Sequence, residues 1–258
     1  MAGIAALIKG WVSRGLPMPE TDNDPGTSRM GRYQELYVIP SVRKQHVLAD
    51  EGSYFVTNNA QTGIATPAVA TFGATTPLAV IANTDSPANS NNKRIHLDYV
   101  NLVTTAAGSW ASGGVNLQLM IYLDSGDRYS SGGTDISAAI ASPNMDLPAR
   151  TSVAKVRFGN ITASAATGSV RAICGLRILR PAVSATVADV VGETKLLNFG
   201  GVEAMLNGSI TVASANMISV PLPPIVIGPN QSALIYYVMN GTTPAAASYA
   251  PEFGWWER

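Results

Sequence analysis

Few residues in this chain are of a type that performs chemistry, and their spacing limits what they can do. There are two histidines, His46 and His96, and one cysteine, Cys174. His96 and Asp98 sit two apart in Ile95-His96-Leu97-Asp98. In an extended chain both point to one side, as two metal ligands would. A tetrahedral site needs a third and a fourth ligand, and none stands at a matching spacing, so the pair reads as part of a polar sheet face. His46, in Arg43-Lys44-Gln45-His46, reads as an exposed or interfacial polar residue. A single cysteine rules out an internal disulfide framework. Cys174 lies in a strand-like run from Val170 to Leu179 and reads as a small buried apolar residue. No Gly-x-Ser-x-Gly elbow supports a Ser-His-Asp triad.

Oxygen ligands are more numerous. Asp22-Asn23-Asp24 has the alternating spacing of a calcium loop's start, but Pro25 interrupts it and the later glutamate is missing. Asp124, Asp127 and Asp135 offer three carboxylates separated by flexible glycines and serines. The loop reads as solvated, and these three are the residues a cation would use. Aromatic side chains form the last group. Trp110, Trp255 and Trp256 could contribute to a carbohydrate platform. Adjacent residues in a strand face opposite ways, so one of Trp255 and Trp256 packs inward while the other covers a neighbouring element or subunit. Taken together these residues give no catalytic constellation and no cofactor site. The expectation is a protein that is not an enzyme.

The elements that must position these residues read as strands. In Val115-Asn116-Leu117-Gln118-Leu119-Met120-Ile121-Tyr122-Leu123, Val115, Leu117, Leu119, Ile121 and Leu123 fall on one face of a strand. Arg94–Val103 is a second long run, with Ile95, Leu97, Tyr99 and Val103 on one face and His96, Asp98 and Val100 on the other. The two read as neighbours in one sheet. Shorter strands are expected at Leu36–Ile39, Ser53–Thr57, Glu193–Phe199 and Met217–Leu222, whereas the short apolar pieces Ala68–Phe72 and Leu78–Ile81, in an Ala/Thr/Asn/Pro-rich stretch, fix no element. Val153–Ile161 and Val170–Leu179 read as an antiparallel hairpin. Thr134–Ala141 reads as a short helix capped by Asp135. Ile225–Ile227 and Ser232–Met239 flank the turn Gly228-Pro229-Asn230-Gln231, and Phe253–Trp256 reads as a last edge strand. Eight or more strands without a long helix predict an all-β protein, a two-sheet Greek-key sandwich or jelly roll.

The N-terminal stretch differs from the rest. Ile4, Leu7, Ile8 and Trp11 fall at helical spacing and predict a short amphipathic helix. Prolines at 17, 19 and 25 and an Asp/Asn/Gly cluster then exclude regular structure. Residues 1–32 therefore read as an arm, a helix followed by an extended linker, and 33–258 as the β-sandwich body. Of the 258 residues 46% are hydrophobic but only 13% charged, and the formal net charge is zero. No basic excess is present to neutralise phosphates, which argues against nucleic acid as a partner. No run approaches the ~20 apolar residues of a membrane span. A surface built from Ser, Thr, Asn, Gly and Ala is cheap to desolvate, which predicts burial in an assembly.

Arg94–Leu123, a long alternating strand with a basic start, is followed later by Pro-Pro-Ile-Val-Ile-Gly-Pro-Asn-Gln-Ser-Ala-Leu-Ile-Tyr-Tyr from Pro223. This pattern, with the low charge and the arm, resembles jelly-roll proteins of tailed-bacteriophage virions. The similarity is greatest to capsid decoration, or cement, proteins. It runs over about residues 34–256 as a style of sequence. The helical arm and extended spine of the usual tailed-phage major capsid fold are not recognisable. The resemblance implies a homo-oligomer, a trimer on the capsid surface, that staples subunits of a major capsid protein. Ile4, Leu7, Ile8, Trp11, Trp255 and Trp256 would supply the interfaces. The competing expectation is a glycan-binding or host-attachment module on a virion or bacterial surface, working through Trp110 or Trp256.

Overall fold

The structure, a computed structural model, describes residues 44–66, 72–73, 75–89, 92–106, 115–146, 150–166, 168–180, 191–200, 216–219, 222–240 and 247–258. The arm at 1–32, the expected strand at Leu36–Ile39 and Trp110 lie outside the described residues. Strands dominate. In chain order they are β1 (Tyr54–Asn58), β2 (Ile64–Ala65), β3 (Ala79–Asn83), β4 (Ile95–Ala106), β5 (Val115–Asp124), β6 (Tyr129–Asp135) and β7 (Ala154–Ala163). They continue as β8 (Val170–Arg180), β9 (Thr194–Asn198), β10 (Asn216–Ser219), β11 (Ile225–Ile227), β12 (Ser232–Asn240) and β13 (Ser248–Glu257). A short helix, α1 (Lys44–Asp50), precedes them. The sandwich lies within Leu48–Arg258, one of two compact units into which the chain divides.

The strands form two antiparallel sheets. In the first, β13 lies between β1 and β4, β2 extends the β1 side, and β9 and β11 both pair with the far edge of β4. The second has the order β10-β8-β5-β12-β3-β7-β6. The pairing is that of one long hairpin folded over on itself. β1 pairs with β13, β3 with β12, β4 with β9 and β11, and β5 with β8. Alternate pairs go to alternate sheets, and this is the jelly-roll order. β6 and β7 extend the second sheet beyond β3.

Alternation along the strands builds the core. Ile95, Leu97, Phe55, Phe253 and Trp255 from the first sheet meet Ile81, Leu119, Ile121, Ile235 and Phe158 from the second in one buried cluster. The outer face of the second sheet carries a smaller cluster, Val80, Ile161, Leu234 and Tyr236, against which Phe72 and Tyr122 pack. Phe72 meets both Tyr122 and Tyr236 edge-on.

Several expectations are corrected. β4 and β5 belong to opposite sheets: β4 pairs with β13, β9 and β11, and β5 with β8 and β12. β7 and β8 form no hairpin; β7 pairs with β3 and β6, and β8 with β5 and β10. Phe253–Trp256 is part of a ten-residue central strand rather than an edge. Thr134–Ala141 forms no α-helix: Tyr129–Asp135 is a strand, and a single 3-10 turn follows at Ser137–Ala139. Asp135 still accepts from the Ser137 backbone N–H at 2.9 Å, the contact a capping carboxylate makes.

The inside-outside phase of β4 also departs from strict alternation. Tyr99 pairs with Gly254 and Leu97 with Trp255, which leaves Asp98 as an extra residue. This β-bulge shifts the phase of the strand. Val100, Leu102 and Thr104 point into the core, and Tyr99 joins His96 and Asp98 outside. The expected face with Tyr99 inside and Val100 outside is thereby reversed beyond the bulge.

Candidate functional site on the outer face of the first sheet

The bulge helps gather a row of polar and aromatic side chains on one face of the first sheet. At one level, β11, β4, β13 and β1 present Val226, His96, Trp256 and Tyr54 side by side. His96 and Trp256 stack, with ring centroids 3.6 Å apart and planes 5° from parallel. One level on, Asp98 and Tyr99 from the bulge face β13. The Tyr54 hydroxyl donates to Asp98 Oδ2 at 2.8 Å. The Tyr99 hydroxyl donates to Glu252 Oε1 at 2.8 Å, and Asn101 Nδ2 lies 3.5 Å from Glu252 Oε2. A glycine makes this possible. A β-carbon at position 254 would overlap the Tyr99 ring and lie 2.8 Å from the Tyr54 hydroxyl. Gly254 thus lets the Tyr99 ring lie on the β13 backbone.

Electrostatics follow from the geometry. Partial burial and the hydrogen bond to Asp98 push the Tyr54 phenol well above its ordinary range. Partial burial and the bond to Glu252 do the same for Tyr99. Both phenols are held as donors at neutral pH. Asp98 and Glu252 are half-buried, and among the described residues neither has a Lys or Arg partner. The row therefore sets two carboxylates beside the stacked His96 and Trp256 rings.

The residues singled out from sequence are distributed differently. Trp255 is fully buried in the core, so it offers no surface for an interface; Trp256 alone lies outside. Asp124, Asp127 and Asp135 do not converge. Asp124 is buried, accepts from the Gly126 N–H and lies 3.7 Å from Arg128 Nε. Arg128, also buried, spends two donors on the Ser164 carbonyl. Asp127 accepts from its neighbour's backbone at Tyr129. Asp135 pairs with Arg157 at 2.8 Å. Burial would raise the Asp135 carboxyl, but its bonds to Ser137 and the Arg157 charge outweigh this and hold it below the usual range. Among the described residues no three His, Cys, Asp or Glu side chains come together as metal ligands. Ile4, Leu7, Ile8 and Trp11 lie outside the described residues, as does the side chain of Cys174, whose backbone in β8 pairs with Met120 of β5.

Sequence reasoning found His96, Asp98 and Trp256 but missed Tyr54, Tyr99, Glu252 and Gly254. The signal for the last was present: a glycine inside the apolar run Phe253-Gly254-Trp255-Trp256 marks a close approach. Comparison with known proteins adds no relative: no family model, no curated protein and no solved structure matches this chain.

Proposed function

We propose that this protein is a structural component of a virus particle, a decoration or cement protein that binds the capsid surface as a homo-oligomer and staples neighbouring subunits of the major capsid protein. The observation that supports it most is the jelly-roll strand order, an architecture used by virus shell proteins, in a chain with only 13% charged residues. This is a reading by architecture and composition, not from a catalytic site. Binding would come from many copies and from neutral surface that desolvates cheaply. The arm at 1–32 would tether the body to the shell.

The test is localisation. Antibody raised against the purified chain should label the outside of particles from the source of the sequence, and the chain lacking residues 1–32 should fold yet no longer bind emptied shells. Particles without label, or full occupancy by the truncated chain, would overturn the reading or its tether respectively.

A further inference from the structure

We draw no further inference here: the strongest candidate, the exposed surface pair Arg94 and Arg258, whose backbones pair at the end of the first sheet, carries nothing, because nothing in the structure shows what covers that face.

Discussion

Glu257 closes the sandwich, and removing its carboxylate gives a sharp test of the packing described here. The residue is almost fully buried. Oε1 accepts from the Val153 N–H at 3.0 Å, the Trp255 indole N–H at 3.2 Å and the Ser152 hydroxyl. Oε2 faces Lys93 Nζ at 3.3 Å. The carboxylate therefore ties β13 to the segment entering β7 and joins the two sheets. In Glu257→Ala the Lys93 ammonium, whose side chain is 39% exposed, turns to water at little cost. The Ser152 hydroxyl rotates to another partner. The Val153 and Trp255 N–H groups have no such escape, and each unsatisfied buried donor costs about 1–3 kcal/mol. The expected loss is about 3 kcal/mol, or roughly 6–12 °C in Tm for a domain of this size. Glu257→Gln keeps an acceptor and should lose less than half of that. Urea unfolding of the three proteins measures it. A Glu257→Ala protein within about 0.5 kcal/mol of wild type, an ordinary surface effect, would refute the clasp.

The other predictions concern the two sheets. Trp255→Ala should cost about 3–5 kcal/mol as a core truncation, whereas Trp256→Ala, which loses the stack on His96 at the outer face, should cost about 1 kcal/mol; equal losses in chemical unfolding would contradict the inside-outside assignment. Gly254→Ala should displace the Tyr99 ring and destabilise by about 1–3 kcal/mol, read as a lower Tm with altered near-ultraviolet dichroism. Arg128→Ala should cost about 3–5 kcal/mol by stranding the buried Asp124 carboxylate, and Asp124→Asn in the same chain should recover part of it. The raised phenols of Tyr54 and Tyr99 bind their protons more tightly folded than unfolded. Their contribution is complete below the ordinary tyrosine value of 10.0 and is lost as pH rises above it. Alkaline titration should show Tyr54 and Tyr99 ionising late, together with the buried Tyr236, and Tyr99→Phe should remove one late-ionising group.

The architecture was legible where local pattern and tertiary role agree. Val115–Leu123, Val170–Leu179 and Ser232–Met239 carry enough β-branched and aromatic residues to be strands in any context, and they stand where expected. Partner choice was not legible. Short polar connections invite hairpins, yet β7 and β8, and likewise β4 and β5, separate, because a jelly roll pairs strands from opposite ends of the chain. β6 was read as a loop because Tyr-Ser-Ser-Gly-Gly-Thr-Asp has almost no apolar side; its ladder to β7 holds it at the edge. α1 went unseen because seven residues give too few turns for a periodic pattern. The candidate site was half visible. His96, Asp98 and Trp256 are conspicuous residue types, but the β4 bulge decides that Tyr99 joins them, and a bulge depends on the register with β13.

The most direct test of the assembly claim is the mass of the purified full-length chain in solution, by light scattering across a range of concentrations. The account predicts a stable trimer, near three times 26.9 kDa. A monomer at every concentration would contradict it.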